Sequence, residues 1–506
     1  MSCNMKNNSN LYLLFSEAIS ASEDVDFLHV PGGPSLKYSD TDEASGRFHA
    51  ALASLGVSKG DRVVVQVGKS IESVVLYLAC LRIGAIYIPL NTAYTPVEVS
   101  YFIDDAEPKV LICDPKAYES LATVLHDKVA HILTLSSHGT GSLPDLVSEM
   151  DAVNEIVQCS ADELAAILYT SGTTGRSKGA MLSHGNLSSN AQVLHQYWAF
   201  QHGDILLHAL PIFHVHGLFV ALHCALLNGS TIYFLPHFDA DTVLQMLPES
   251  TVMMGVPTFY TRLLDRPDFT RELCNKMRLF VSGSAPLLSE THIEFEQRTG
   301  HRILERYGMT ETGMITSNPY DGDRIAGTVG FALPGESVRI ADDGGIEIPR
   351  GDTGVLEVKG PNVFLGYWRM PEKTRDEFRE DGWFITGDLA TMSDDGRVTI
   401  VGREKDLIIS GGYNIYPKEI ELAVDQCAGV KESAVIGTPH ADFGEGVVAV
   451  VVAVDGVEIN QSDIFESLSG QLARFKQPKN IFFVDDLPRN TMGKAVSYTH
   501  LRAHET

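Results

Sequence analysis

The chain has 506 residues, of which 44% are hydrophobic and 21% are charged, and its formal net charge is −26. This length is too great for one hydrophobic core, so we expect two or more structural units in an ordinary globular protein. The negative charge argues against nucleic acid and anionic membranes as partners, and no apolar run approaches the ~18 residues that span a bilayer.

The first two thirds of the chain alternate strand and helix patterns. The run DRVVVQVG at 61–68 predicts a strand, and SIESVVLYLACLRIGA at 70–85 predicts a helix with an apolar stripe. Further predicted strands are YIPL, KVLICD, AAILYTSG, TVMMGVPT, MRLFVSGS and RILERYG. This rhythm predicts βαβ units around a mostly parallel sheet, which is an α/β fold.

The texture changes after about Gly327, where short strands alternate with Gly and Pro turns. This pattern predicts a small antiparallel β-barrel within the large N-terminal domain. From about Arg403 strands and helices mix, and the apolar run at 447–454 predicts a buried strand in a small α+β domain. The predicted domains are an N-terminal domain at 1–402, a C-terminal domain at 403–494 and an atypical tail at 495–506.

A glycine-rich segment, TSGTTGRSKG at 170–179, directly follows the apolar strand AAILY. Its glycines allow tight turns in which successive N–H groups converge on phosphate oxygens, and its hydroxyls and Lys178 add donors and charge. The spacing does not match G-x-x-x-x-G-K-[ST], so this is not a Walker loop. The segment predicts a polyphosphate-binding loop of another kind.

YTSGTTGRSKG resembles the signature of the adenylate-forming superfamily, which comprises acyl-CoA synthetases, luciferase-like enzymes and peptide-synthetase adenylation domains. Four further family motifs follow in order, at 307–311 (YGMTE), 386–388 (TGD), 402–403 (GR) and 488–494 (PRNTMGK). The similarity runs from about residue 11 to Lys494. It implies activation of a carboxylic acid by ATP, transfer of the acyl group to coenzyme A, and a mobile C-terminal domain.

The resemblance implies a role for each motif. Lys494 is expected between the substrate carboxylate and the α-phosphate, where two anions meet and positive charge is required. Glu311 and Thr174 are expected to hold Mg²⁺, which needs few protein oxygens beside phosphate. The implied ATP- and AMP-binding residues are Thr170, Ser171, Gly172, Thr173, Thr174, Gly175, Lys178, Gly283, Ser284, Ala285, Glu305, Arg306, Tyr307, Gly308, Met309, Thr310, Asp388 and Arg403.

The segment PIFHVHG at 211–217 supplies the implied acyl pocket. His214 is expected at its floor, as a catalytic residue beside Lys494 and Glu311, with Val215 and Met314 at its border. On a strand His214 and His216 share a face, but no third ligand lies at a supporting interval, so we expect no metal there. The residues implied for the CoA channel are Gly411, Gly412 and Tyr413.

Several segments, among them RYGMTET, GVPTFYTRLL and SNPYDGDR, resemble the malonyl-CoA synthetases within this superfamily. A dicarboxylate needs a second cationic site, because a buried unpaired carboxylate costs several kcal/mol. Arg262 is our first choice, since a guanidinium binds a carboxylate bidentately; Arg306 is the second, and Ser282 is a neutral donor. Either arginine could instead form a structural ion pair. A valine at 215 predicts tolerance of methylmalonate.

Alternatives stay open. The chain could be another short-chain or aromatic acyl-CoA synthetase, or a nucleotide-binding homologue that has lost catalysis. An amino-acid adenylation domain is disfavoured, because Ile212 and Phe213 stand where such domains place an aspartate. The ending at 495–506 does not resemble the family and lacks an apolar helical stripe, so we interpret it as a candidate artefact that weakens adenylation.

The expected partners are small molecules: malonate, ATP with Mg²⁺, and CoA. We expect no nucleic acid, membrane or obligate protein partner. The seven cysteines are scattered without a C-x-x-C pair, and the first ten residues lack the apolar core of a signal peptide. These features predict a cytoplasmic location.

Overall fold

The structure is a computed structural model that describes residues 8–125, 127–170, 177–410, 413–440, 444–469, 471–472 and 476–489. The chain divides into two compact units. The first runs up to Ala326 and includes Ala332–Ser337 and Lys359–Phe378, and the second holds Gly327–Phe331, Val338–Val358 and the chain from Arg379 onward. This division groups most of the predicted barrel segments with the C-terminal residues. The boundaries at 402 and 494 therefore stay predictions.

The first unit consists of helices and strands in alternation. Its helices are α1 (Leu11–Ala21), α2 (Tyr38–Ser54), α3 (Ile71–Ile83), α4 (Pro96–Ala106), α5 (Tyr118–Leu125), α6 (Ser142–Ser148), α7 (His184–Tyr197), α8 (Leu222–Asn228), α9 (Ala240–Met246), α10 (Pro257–Leu264), α11 (Ser289–Thr299) and α12 (Pro371–Asp376). Short helical turns lie at His216–Ala221, Leu247–Glu249 and Glu272–Cys274. None of the helices in the described part of the chain is long and apolar enough to cross a membrane.

The strands of this unit form two sheets. They are β1 (Asp26–His29), β2 (Ser35–Lys37), β3 (Arg62–Gln66), β4 (Ile86–Pro89), β5 (Val110–Cys113), β6 (His131–Thr134), β7 (Leu164–Thr170), β8 (Lys178–Ser183), β9 (Ile205–His208), β10 (Thr231–Phe234), β11 (Val252–Gly255), β12 (Leu279–Ser282), β13 (Leu304–Met309) and β14 (Gly313–Ser317).

One sheet has the order β14-β13-β12-β11-β9-β10-β1-β2, and the other has the order β6-β5-β3-β4-β7-β8. Pairing is parallel in both, except for β13 with β14, β1 with β2 and β7 with β8. The predicted α/β fold with mostly parallel sheets is thus confirmed. Because the carboxyl ends of parallel strands share one edge, β12 and β13 bring their following loops side by side.

Local sequence explains these elements. The strand β3 reads RVVVQ and is buried along nearly its whole length, as expected for a parallel strand covered on both faces. The helix α3 begins at a capping box in which Ser70 and Ser73 bond each other's backbone N–H. It ends at Gly84, whose φ of +70° is left-handed.

The remaining elements lie in the second unit or at its edge. The strands are β15 (Phe331–Ala332), β16 (Ser337–Ala341), β17 (Gly354–Lys359), β18 (Phe384–Met392), β19 (Val398–Arg403), β20 (Ile408–Ser410), β21 (Tyr413–Ile415), β22 (Val430–His440), β23 (Gly444–Ala453) and β24 (Asn480–Val484). The helices are α13 (Pro417–Asp425) and α14 (Gln461–Leu468), and a helical turn lies at Glu404–Asp406.

The second unit also contains two sheets. The predicted barrel segments form a four-stranded sheet in the linear order β16-β17-β18-β19. The other sheet has the order β21-β20-β23-β22, with β24 parallel to β23. The strand predicted at 447–454 is confirmed as the larger part of β23. Its apolar side chains pack with Ile420 and Val424 of α13 and Ile464 of α14 in one core.

Candidate functional site

The glycine-rich segment connects two antiparallel strands of the first unit. Thr170 ends β7, Lys178 begins β8, and the two residues are register partners. The Thr170 hydroxyl donates a hydrogen bond of 3.4 Å to the Lys178 carbonyl. The predicted phosphate-binding residues Ser171, Gly172, Thr173, Thr174 and Gly175 lie outside the described residues.

The side chain of Lys178 is held from two sides. Its Nζ lies 3.1 Å from Oε1 of Glu377 and 4.2 Å from the centre of the Tyr367 ring. The side chains of Lys178 and Glu377 are only 14% and 18% exposed. Burial opposes the charge of Glu377, but hydrogen bonds from Lys373 and Tyr367 outweigh it and lower the pKa of Glu377.

The predicted magnesium ligand Glu311 lies in the turn between β13 and β14 and is buried. Burial raises the pKa of its carboxyl, and no ion pair to Glu311 is found in the described part of the chain. The Tyr367 hydroxyl lies 3.0 Å from Oε1 of Glu311 and 2.6 Å from Oε2 of Glu377. One tyrosine therefore connects the predicted metal ligand with the partner of the loop lysine.

The backbone after Glu311 is fixed by two asparagines. The Asn362 amide donates 2.8 Å to the carbonyl of Thr312. Asn190 bonds both the N–H and the carbonyl of Met314. Between them Gly313 has a φ of +61°, and a Cβ there would lie 2.6 Å from Oδ1 of Asn190. The position therefore requires glycine.

Arg306 is a buried cation on β13. Its guanidinium lies over Gly283, where an added Cβ would approach Cζ to 2.4 Å, so a side chain at position 283 would displace the guanidinium. Burial lowers the pKa of Arg306 to about 9. Its Nε and Nη2 atoms have no hydrogen-bond partner in the described structure. The neighbouring Ser282 is also buried with its hydroxyl unpartnered.

The two histidines of PIFHVHG do not lie on a strand, so the shared face that a strand would give them does not arise. They follow a turn after Pro211, and His216 begins a π-helical turn that leads into α8. Burial, and next the charge of Arg306, lower the pKa of His214 to about 4 and also lower that of His216. Both imidazoles are therefore neutral at physiological pH.

Val215 and Met314, predicted at the border of the acyl pocket, are both buried. Val215 also lines a small cavity of about 10 Å³, together with Asn190, Gly313 and Asn362. This volume admits about one water molecule. The cavity places Val215 next to the backbone that follows Glu311.

The residues predicted for the adenine slot come from two neighbouring strands. Ser282 of β12 pairs with Glu305 of β13, so Gly283, Ser284 and Ala285 lie beside the segment 305–310, which holds Glu305, Arg306, Tyr307, Gly308, Met309 and Thr310. Ser284 has a φ of +70°, rare for a non-glycine residue. Its hydroxyl lies 3.2 Å from Nδ1 of His216.

Arg262 lies on α10 with an exposed side chain, and the described ion pairs do not include it. The two arginines predicted to bind a substrate carboxylate therefore differ in exposure, since Arg306 is buried and Arg262 is exposed. The assignment of either one stays a prediction.

In the second unit, the two residues predicted to bind ribose touch each other. Asp388 and Arg403 are register partners on β18 and β19, and Nε of Arg403 lies 2.9 Å from Oδ1 of Asp388. Asp388 is buried, whereas the Arg403 side chain is 40% exposed. The backbone of Tyr413 begins β21. The predicted residues Gly411, Gly412 and Lys494 lie outside the described residues.

Sequence reasoning missed Tyr367, Glu377, Asn190 and Asn362. Tyr367 belongs to the segment VFLGYW, whose aromatic density was a usable signal. The other three carry no local signal, because their partners lie far away in the chain. Within the described residues, no three histidine, cysteine, aspartate or glutamate side chains are grouped to hold a metal alone.

Comparisons with protein families give two matches. The model of the AMP-binding enzyme family matches residues 15–368. The model of the AMP-binding enzyme C-terminal domain matches residues 419–494.

Individual proteins are also similar to this chain. The mitochondrial malonate–CoA ligase ACSF3 of Mus musculus is 36% identical and is matched over 87% of this chain and 81% of its own length. A malonate–CoA ligase of Arabidopsis thaliana is 34% identical and is matched over 87% of this chain and 77% of its own length. The crystal structure of ATP-bound MatB from Rhodopseudomonas palustris is 54% identical, with a TM-score of 0.96 over 98% of this chain and 99% of that one.

Proposed function

The chain belongs to the AMP-binding enzyme family, and from that membership we propose that it is a malonate–CoA ligase. It joins malonate to CoA and converts ATP into AMP and diphosphate, with a malonyl-adenylate as the intermediate. The similarity to two malonate–CoA ligases supports this substrate, and the similarity to ATP-bound MatB supports the binding of ATP. The structural observation that supports it most is that Arg306 is buried and that two of its guanidinium nitrogens have no hydrogen-bond partner among the described residues.

The guanidinium of Arg306 offers a binding edge for a carboxylate. Its Nε and Nη2 atoms, which have no hydrogen-bond partner among the described residues, form one side of the guanidinium. Elsewhere in the protein the same two atoms of Arg278 hold both oxygens of Asp204. A buried cation without a carboxylate is unfavourable, and a dicarboxylic substrate corrects this with its second carboxylate. A monocarboxylic acid does not.

Arg306 therefore replaces Arg262 as our first choice for the distal carboxylate of malonate. Ser282, one residue before Gly283, adds as a donor a buried hydroxyl that has no partner in the described structure. Neutral His214 contributes a polar group without a second positive charge at the floor of the acyl pocket. Arg262 stays a second candidate, because its exposed side chain gains less from pairing.

In the first step the malonate carboxylate attacks the α-phosphate and diphosphate leaves. We assign Lys178 and the glycine-rich loop to the phosphates, and the residues beside β12 and β13 to adenine. Glu311 fits a Mg²⁺ site, since it is a buried carboxylate without an ion-pair partner in the described part of the chain, and Thr174 is its expected companion. Mg²⁺ neutralises phosphate charge when bound. Lys494 is assigned to the developing charge at the α-phosphate.

In the second step the CoA thiol displaces AMP from the adenylate. We assign Asp388 and Arg403 to the ribose, and Gly411, Gly412 and Tyr413 to the CoA channel. A movement of the C-terminal domain would take Lys494 away from the adenylate and bring the CoA channel to it instead.

Because Val215 is small and borders a cavity, we also propose that methylmalonate is accepted. The cytoplasmic location stays a prediction.

The test is thioester formation with ATP, Mg²⁺ and CoA, offered malonate, methylmalonate, acetate, succinate, a cinnamate and a medium-chain fatty acid. Mass spectrometry of the product and diphosphate release are measured together. We expect the highest kcat/KM with malonate. Turnover of monocarboxylic acids alone would identify a different acyl-CoA synthetase. ATP binding without acid-dependent diphosphate release would identify a homologue that has lost catalysis.

A further inference from the structure

We propose that Tyr367 and Glu377 are positioning residues that hold Lys178 and Glu311 in place before Mg²⁺ and ATP bind. The inference rests on the proposed function, in which Lys178 binds phosphate and Glu311 binds the metal. Neither Tyr367 nor Glu377 belongs to the family motifs from which the other site residues were assigned.

Lys178 is restrained by Glu377 and by the aromatic face of Tyr367. The 3.1 Å contact with Glu377 uses one of the three ammonium donors. The ring contact of 4.2 Å limits motion on another side. A free lysine loses rotamer freedom when it binds a phosphate, and this pair has already removed that freedom. The remaining donors of Nζ stay available to the nucleotide.

The Tyr367 hydroxyl fixes the two carboxylates relative to each other. It lies 2.6 Å from Glu377 and 3.0 Å from Glu311. Since it carries one hydrogen, it donates to one of them at a time, and the shorter distance favours Glu377. A cation held by Glu311 would be bound through the carboxylate oxygens, so it would not compete for the tyrosine hydrogen.

Tyr367 itself is rigid. Its N–H donates 2.9 Å to the Thr374 hydroxyl, and its ring packs edge-on against Phe364 at 4.9 Å. The N–H of Phe364 donates 2.8 Å to the Glu311 carbonyl. Phe364 and Tyr367 therefore contact the predicted metal ligand through both backbone and side chain.

The same segment is bonded to the strand that begins with Lys178. The N–H of Trp368 donates 2.8 Å to the carbonyl of Gly179, and the N–H of Met181 donates 3.0 Å to the carbonyl of Gly366. A short stretch around Tyr367 thus joins the end of the phosphate loop to the Glu311 turn. A fixed distance between Lys178 and Glu311 suits a single ligand that contacts both residues, such as a metal–nucleotide complex.

The experiment measures ATP binding to the full chain by calorimetry, with and without Mg²⁺ and without malonate. Tyr367→Phe keeps the ring over Lys178 but removes the hydroxyl. We expect it to weaken ATP binding about 3-fold without Mg²⁺, because Glu377 loses its hydrogen bond, and to reduce the gain in ATP affinity that Mg²⁺ provides by about 3- to 10-fold, because Glu311 also loses its hydroxyl neighbour. Glu377→Gln is expected to weaken ATP binding about 3- to 10-fold in both conditions, and Glu377→Asp to restore part of it.

Matched controls are Tyr38→Phe, which removes a buried hydroxyl bonded to the Ser230 carbonyl, and Glu249→Gln, which removes a Lys–Glu pair with Lys276. Both should bind ATP as the wild type does. Unchanged Mg²⁺ dependence in Tyr367→Phe, or ATP binding in Glu377→Gln that is as tight as in the wild type or tighter, would overturn the inference. If Tyr367→Phe does not fold, the Glu377 variants decide. A wild-type chain that fails to bind ATP would instead overturn the proposed function.

Discussion

Asn190 and Met314 exchange two hydrogen bonds across the first unit. The Asn190 amide donates 2.9 Å to the Met314 carbonyl, and its Oδ1 accepts 3.1 Å from the Met314 N–H. The asparagine lies on α7, and its side chain bonds both the N–H and the carbonyl of one residue of β14, as the backbone of a neighbouring strand would. It thereby fixes the backbone that joins Glu311 to the border of the acyl pocket.

Replacing Asn190 by alanine should remove the side-chain acceptor of the Met314 N–H and leave the Met314 carbonyl with only the 3.4 Å bond from the Asn362 amide. We expect a loss of about 1–3 kcal/mol in the free energy of unfolding, which is the cost of one unsatisfied buried group. Urea unfolding followed by circular dichroism measures it. A change below about 0.5 kcal/mol would show that water or a shifted backbone replaces the asparagine.

The buried His184 should make the protein sensitive to acid. Burial lowers its pKa from 6.5 to about 4, and its Nδ1 accepts a hydrogen bond from the Leu11 N–H. Because the folded pKa is below the unfolded one, its contribution is complete above pH 6.5 and is lost as pH falls toward 4. The slope is at most about 1.4 kcal/mol per pH unit for this one group.

The variant His184→Gln isolates this contribution. It should flatten the loss of stability between pH 6.5 and 4, measured by urea unfolding at several pH values. The exposed His138 provides a comparison, and His138→Gln should leave the slope as in the wild type. Equal slopes in all three proteins would assign the acid sensitivity to other groups.

Asp388→Asn should weaken AMP binding. The carboxylate of Asp388 is buried and paired with Arg403, and we assign both to the ribose hydroxyls. An amide accepts these hydrogen bonds less well than a carboxylate, so we expect about a 10-fold rise in Kd, equal to about 1.4 kcal/mol. Calorimetry with AMP measures it.

The control for this variant is Asp395→Asn. Asp395 pairs at 3.8 Å with Arg397 but is 60% exposed. It should leave the Kd for AMP unchanged. A similar rise in both variants, or none in Asp388→Asn, would contradict the assignment.

Much of the fold was predictable because its signals are local. Continuous apolar strands such as β3 and β23, and the capping of α3 by Ser70 and Gly84, appear directly in the sequence. The backbone around His214 was not predictable in this way. The chain turns after Pro211 and enters the helical turn at His216–Ala221, and a Cβ on Gly217 would lie 2.1 Å from the Pro211 carbonyl oxygen.

Only those residues of the candidate site that belong to sequence motifs were predictable. Nothing local shows that Arg306 is buried over Gly283 or that Arg262 is exposed, because both facts depend on which strands and helices become neighbours. The same holds for Glu377, because it contacts Lys178 although the two residues are 199 positions apart in the chain. Such long-range contacts require the fold itself.

The most direct test of the proposed function compares Arg306→Met with Arg262→Met, using malonate and acetate as substrates for diphosphate release. If Arg306 binds the distal carboxylate, Arg306→Met should lower kcat/KM for malonate about 100-fold relative to acetate, which lacks that group. Arg262→Met should change this ratio much less. An equal loss with both acids in Arg306→Met, or a larger change of the ratio in Arg262→Met, would contradict the account.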